Sequence, residues 1–177
     1  IAVLRRTTRD EPDYDKLMRQ RLNILDRHAL KLSDIQDVIE KMGPLDGATE
    51  FLAWLRERCQ VIILSDTFYQ FAQPLMRQLG FPTLFCNQLE IDGSGRIANY
   101  HMRMQDPKKH AVAALKSLNF YTMAAGDSYN DTTMLREADV GFFFCPPEHL
   151  PKEFPQFPVT QTYGELQERF AKVGHLQ

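Results

Sequence analysis

Three short apolar runs alternate with stretches of helical periodicity, and this alternation decides the architecture. Val61-Ile62-Ile63-Leu64 is continuously apolar, as in a strand buried on both faces. Residues 121–125 and 140–145 are two further strand-length runs. Helical segments separate them, at 69–79, at 107–118 and from Asp131 onward. Strands alternating with helices predict an α/β protein, built on a Rossmann-like parallel sheet. Residues 84–103 predict a β-hairpin that turns at Asp92-Gly93-Ser94-Gly95.

The first 43 residues contain no strand candidate. Tyr14, Leu17, Met18, Leu22 and Leu25 fall on one face at 3.6 residues per turn and predict a helix over 13–28. A second helix is predicted over 33–42, with Ser33 as N-cap, Gln36 completing a capping box and Gly43-Pro44 as terminator. The chain therefore divides into a helical cap segment, 1–43, and an α/β core, 44–177, which opens with a helix over 47–58. Pro74 predicts a distortion in the helix over 69–79. Several prolines between 146 and 158 predict an irregular tail before a last helix from about Gly164.

The 177 residues are 44% hydrophobic and 25% charged, an ordinary soluble globular composition. A net charge of −2 calls for neither a nucleic acid nor a membrane surface as partner. No apolar run approaches the roughly 20 residues of a membrane span. Cys59, Cys86 and Cys145 are far apart and predict reduced thiols in a cytoplasmic protein.

Open parallel sheets bind ligands beyond the C-terminal ends of their strands. That rule selects the loops Ser65-Asp66-Thr67 and Gly126-Asp127-Ser128-Tyr129-Asn130-Asp131. Asp127 and Asp131 suit a hard cation such as Mg²⁺, or Asn130 or Asp131 caps the next helix. The Ser65 hydroxyl suits a phosphate oxygen, or it closes an ordinary strand-end turn. Lys108 stands in the first turn of its helix, where a cation opposes the helix dipole unless an anion lies nearby. The other reading of Lys108 and Lys109 is a solvated pair. Arg21 falls on the apolar stripe of the first helix, so it either meets a carboxylate or snorkels outward.

In this order these motifs resemble those of the haloacid dehalogenase superfamily of phosphatases. Val61–Ser65 resembles its second motif, Lys108 its third, and the Gly126–Asp131 loop its fourth, in the form typical of phosphoserine phosphatases. Residues 7–15, 64–69 and 154–158 resemble the ThrH-type members, which are also phosphoserine:homoserine phosphotransferases. Ser65-Asp66-Thr67 stands where other phosphoserine phosphatases carry Ser-Gly-Gly. The resemblance implies an enzyme of serine biosynthesis that uses Mg²⁺, takes O-phosphoserine and passes phosphate to water or homoserine. It implies that Ser65 and Lys108 hold the phosphoryl oxygens as catalytic groups. Asp127 and Asp131 are implied as metal residues, with Asn130 supporting the metal and phosphate site. Arg21 and Thr67 are implied as substrate contacts. Related enzymes also suggest a homodimer.

The family's nucleophile is an aspartate at the end of an N-terminal strand, which attacks phosphorus to give an aspartyl-phosphate. Asp10, Asp13 and Asp15 follow no apolar run and do not match it. The resemblance thus implies that the nucleophile and the first core strand lie upstream of Ile1, and that the 177 residues alone do not turn over. A non-catalytic protein that keeps the phospholigand contacts is the alternative. A different α/β protein would need a Gly-rich phosphate loop or an N-terminal acidic triplet, and the sequence has neither.

Overall fold

The computed structural model describes residues 14–174, so residues 7–13 and the expected helix start at 13 lie outside the described residues. The order is α1 (Tyr14–Arg27), α2 (Leu32–Met42), α3 (Ala48–Arg56), β1 (Ile62–Phe68), α4 (Tyr69–Gln78), β2 (Thr83–Ile91), β3 (Ile97–His101) and α5 (Pro107–Ser117). Then come β4 (Met123–Gly126), a 3-10 turn (Tyr129–Asp131), α6 (Thr132–Glu137), β5 (Val140–Phe144), α7 (Leu150–Glu153), β6 (Val159–Thr160) and α8 (Tyr163–Gly174). Among the described residues the strands form two sheets, β1-β2-β3 and β4-β5-β6. The second is parallel, whereas β2 and β3 pair antiparallel as the expected hairpin. Among the described residues no helix is long and apolar enough to cross a membrane.

The chain forms two compact units. The smaller contains the described residues up to Gly43, with Asp66–Phe81 and Cys86–Arg103; the larger contains Pro44–Ser65, Pro82–Phe85 and the chain from Met104 onward. In these units α4 and the hairpin group with the N-terminal helices, because the core of the smaller unit draws on all three. Met18 of α1, Phe68 of β1 and Leu89 of β2 are buried together there, with Phe71, Ile97 and Tyr100 against them.

Two core clusters fill the larger unit. Phe143 and Leu150 are fully buried in one, with Val112, Leu135 and Phe157 around them. Phe142 faces the other, against Leu55, Leu166 and Phe170. Adjacent residues of β5 thus point to opposite clusters, as the pleat of a strand covered on both faces requires.

Four elements depart from expectation. β1 continues through Ser65-Asp66-Thr67 to Phe68, so these residues are strand and not loop. Thr67 and Phe68 suit a strand, and the buried Phe68 ring anchors its end. α2 is capped two residues earlier than Ser33. Its N-cap is Lys31, whose amide donates to the Asp34 carboxylate at 2.7 Å, a pairing that replaces Gln36 in the box. β4 begins at Met123 and not at 121, because Asn119 takes a left-handed φ of 63° and Phe120 and Tyr121 are exposed. The proline-rich tail carries β6, too short to read in the sequence. Phe143 and Cys145 donate their amides to Pro158 and Thr160 across it, each at 2.9 Å.

Pro74 lies inside α4 and is buried. It has no N–H for the Gln70 carbonyl four residues back. The Gln36 side chain, from α2, donates to that carbonyl at 2.7 Å. The Gln70 side chain in turn bonds both ways to the Leu89 backbone of β2, at 2.9 and 2.8 Å. The three cysteines are free thiols. Burial pushes the Cys86 thiol up to about 11, with Arg103 pulling weakly the other way.

Candidate active site

β4 is a four-residue strand pinned by parallel pairing to β5, with Gly126 opposite Phe143. The chain then turns sharply, and Asp131 folds back over it. A Cβ on Gly126 would lie 2.5 Å from the Asp131 Cβ and 2.8 Å from its Oδ2, so only glycine admits this return. Asp131 Oδ2 accepts the amides of Asp127 and Ser128 at 3.1 and 3.0 Å and the Ser128 hydroxyl at 2.8 Å. Its Oδ1 accepts the Lys108 ammonium at 2.7 Å.

Both partners of that pair are shielded, with side-chain exposures of 10% for Lys108 and 7% for Asp131. Burial pushes the Asp131 carboxyl up. The adjacent Lys108 charge and the Lys108 and Ser128 hydrogen bonds together outweigh it and hold the carboxyl below its ordinary range. The anion expected beside Lys108 is thus, in the first instance, a carboxylate of the protein. Lys108 reaches it from the first turn of α5, which Asp106 introduces in a left-handed conformation with φ 46°. The Asp106 carboxylate accepts the Thr133 hydroxyl at 2.9 Å and ties the start of α5 to α6.

The Asp131 carboxylate thus holds the loop that precedes it and makes no side-chain cap hydrogen bond to α6. Asp127 and Asn130 are both exposed in this loop, and the Asp127 carboxylate is of the oxygen type that suits a hard cation. Among the described residues no group of three or more His, Cys, Asp and Glu side chains stands ready to hold a metal ion. Ser65 is half-buried in β1. Ser65, Lys108, Asp127, Asn130 and Asp131 all belong to the larger unit.

Arg21 and Thr67 belong to the smaller unit. They line one cavity of about 370 Å³, to which Leu22, Phe68 and Phe71 add apolar walls. Asp66 also lines it. Asp66 backbone is fixed by Asn87, a residue 1% exposed, whose Nδ2 donates to the Asp66 carbonyl at 3.0 Å. Asn87 Oδ1 accepts the Arg103 amide at 3.1 Å.

Sequence reasoning placed Ser128 and Asp66 in the selected loops but gave neither a role, and it missed Asn87. Ser128 was legible, because Ser-x-x-Asp before a helix is a capping signature. Asn87 gave no signal: a lone polar residue in a strand declares nothing about the backbone it will meet.

The sequence profile of the haloacid dehalogenase-like hydrolases matches residues 4–139. The chain belongs to this family. Among its haloacid dehalogenase-like relatives, phosphoserine phosphatase ThrH of Pseudomonas aeruginosa is 62% identical over 172 residues, covering 97% of this chain and 84% of that protein. A phosphoserine phosphatase of Pseudomonas syringae pv. tomato is 59% identical over 175 residues, covering 99% of this chain and 74% of that protein. A solved phosphoserine phosphatase, captured as a phospho-aspartyl intermediate analogue, superposes with a TM-score of 0.70 at 19% identity, over 89% of this chain and 78% of that one. At that identity the likeness speaks for the haloacid dehalogenase-like fold.

Proposed function

We propose that the protein is a Mg²⁺-dependent phosphoserine phosphatase that hydrolyses O-phospho-L-serine to serine and phosphate, and that also transfers the phosphoryl group to homoserine. The observation that carries this reading is the buried Lys108–Asp131 pair, 2.7 Å apart at the mouth of a parallel strand. Two relatives at 62% and 59% identity, both named as phosphoserine phosphatases, support the substrate.

Phosphoryl transfer is mostly positioning and charge neutralisation. Lys108 meets the charge of the phosphoryl oxygens, and Ser65 donates its hydroxyl to one of them. An ammonium has three N–H donors. Asp131 commits one of these and so sets the direction of the rest. The Gly126–Asp131 loop keeps its shape because three donors from Asp127 and Ser128 converge on one carboxylate oxygen.

Mg²⁺ binds through one or two carboxylates plus phosphate and water. Asp127 fits that role, Asp131 acts chiefly by holding Lys108, and Asn130 supports the loop. When bound, the ion supplies further neutralisation of phosphoryl charge. Arg21 takes the substrate carboxylate and Thr67 a neighbouring polar atom.

The test is phosphate release from O-phospho-L-serine, with Mg²⁺ and with EDTA, by the protein isolated from its source. Metal-dependent release, abolished by EDTA, is the expected result. A source protein that leaves phosphoserine intact overturns the reading. Added homoserine should yield O-phosphohomoserine; its absence confines the activity to hydrolysis.

A further inference from the structure

We propose that Thr133 is a positioning residue for Lys108: its hydroxyl holds Asp106, and through Asp106 it sets the direction in which the first turn of α5 presents the lysine. This rests on the phosphoserine phosphatase reading above and adds to it a residue that touches neither substrate nor metal.

The backbone at Asp106 is in an unusual state for its place. Proline disfavours helical conformations in the residue before it and pushes that residue towards an extended one. Asp106 precedes Pro107, yet it takes φ 46° and ψ 53°, in the left-handed region. Glycine, asparagine and aspartate visit that region most readily, and such a residue persists only where its surroundings hold it there. An aspartate at an N-cap ordinarily turns its carboxylate onto the amides of its own helix. The Asp106 carboxylate makes no such cap bond and accepts the Thr133 hydroxyl at 2.9 Å instead.

Two polar contacts therefore join the same two stretches of chain. Lys108 lies two residues after Asp106, and Asp131 two residues before Thr133. The Lys108 ammonium meets Asp131 Oδ1 at 2.7 Å, and the Thr133 hydroxyl meets Asp106 Oδ1 at 2.9 Å. The two bonds close a ring through both backbones, so the direction of the Lys108 side chain depends on where Asp106 is held. Further along α5 the Lys116 ammonium donates to the Glu137 carbonyl of α6 at 2.8 Å. Loss of the Thr133 hydroxyl thus loosens the first turn of α5 and leaves its last turn tied. Phosphoryl transfer depends on placement to within a fraction of an ångström, and the first turn is where Lys108 stands.

Steady-state kinetics of phosphate release from O-phospho-L-serine in Mg²⁺ buffer test this. Thr133→Val keeps the shape of the side chain and removes its hydroxyl; Thr133→Ala is the second variant without one. In each, kcat should fall about 10–100-fold with KM changed much less, because the loss falls on the transition state. Thr133→Ser restores a hydroxyl at the same place and should recover most of the parental kcat. Asp106→Gly keeps the left-handed backbone and removes the carboxylate, and in that background Thr133→Val should cost little more. Circular dichroism melts establish that every variant is folded at the assay temperature. A folded Thr133→Val with parental kcat overturns the assignment, and so does a Thr133→Ser as slow as Thr133→Val. An equal cost of Thr133→Val with and without the Asp106 carboxylate overturns the route through Asp106. In each of these cases the phosphatase reading stands. An unmodified protein that releases no phosphate overturns that reading, and the role of Thr133 falls with it.

Discussion

Gln36 donates its side-chain amide to the carbonyl of Gln70 at 2.7 Å, the same carbonyl to which Pro74 has no N–H to give. A helix on one side thus completes a hydrogen bond that a proline removed from the other. Gln36→Ala should destabilise the protein by about 1 kcal/mol, the cost of a carbonyl left without its partner. In a Pro74→Ala background the helix regains its own donor, and the cost of Gln36→Ala should shrink. Urea denaturation of the four proteins in this cycle measures the coupling. Equal costs in both backgrounds would show that the two residues act independently.

Removing one charge from the Lys108–Asp131 pair strands the other in a shielded site. Asp131→Asn alone should therefore cost about 3–5 kcal/mol. Combining it with Lys108→Met removes the stranded ammonium and should recover much of that loss in urea unfolding. Phosphatase activity should stay lost in both, since each lacks the oriented lysine. Recovery of activity together with stability would end the functional assignment of Lys108.

The Asp131 carboxyl is held below its ordinary range when folded: burial opposes this, but Lys108 and Ser128 outweigh it. The folded state therefore binds fewer protons here than the unfolded one, and this contribution to stability is full above the ordinary carboxylate value of about 3.9. It is lost as pH falls from there through the lowered folded value. Asp139 adds to the same acid limb: the Thr122 amide lowers it most, desolvation opposes this, and the Thr122 hydroxyl and Lys116 lower it further. Asp131→Asn should lose less stability than the parent as pH falls below about 4. Identical acid slopes for the two would remove Asp131 from the acid-sensitive set.

Gly126 and Gly141 both lack room for a methyl group, but for different reasons. At Gly126 a Cβ meets the Asp131 side chain at 2.5 Å; at Gly141 it meets the Leu135 carbonyl oxygen of the backbone, also at 2.5 Å. Either alanine should cost about 1–3 kcal/mol, with Gly141→Ala at the upper end because backbone yields less. That corresponds to a fall in Tm of about 2–4 °C per kcal/mol. Gly126→Ala should also lose activity under conditions where it is fully folded, because the carboxylate that directs Lys108 must move. Gly141→Ala should keep its activity when folded.

The local signals that sequence carries best were those with a strong period or a special residue. The stripe of Leu17, Met18 and Leu22 marked α1, the run from Val61 marked β1, and Asp106-Pro107 marked the start of α5. The glycine and aspartates of the 126–131 loop marked the tight turn after β4, since the close return of Asp131 needs Gly126. The rest depended on partners distant in sequence. Nothing near Val159 and Thr160 announces a strand until β5 lies beside them. Lys31 is an unremarkable cap residue, chosen because Asp34 accepts its amide. The grouping of α4 and the hairpin with the N-terminal helices follows from Met18, Phe68 and Leu89 meeting, which no local pattern encodes.

A saturation library at position 131 would be read by a narrow filter. A carboxylate offers about four acceptor sites, and this one has one oxygen on a lysine and the other on two amides and a hydroxyl. Asparagine turns one of its two ends from acceptor to donor, and glutamate sets its oxygens a methylene further out. Serine and threonine carry a single oxygen for a task that takes two. Functional survivors of such a library should therefore converge on the parental codon pair, GAT and GAC, and substitutions introduced at residue 126 should give none of the other amino acids a way back in.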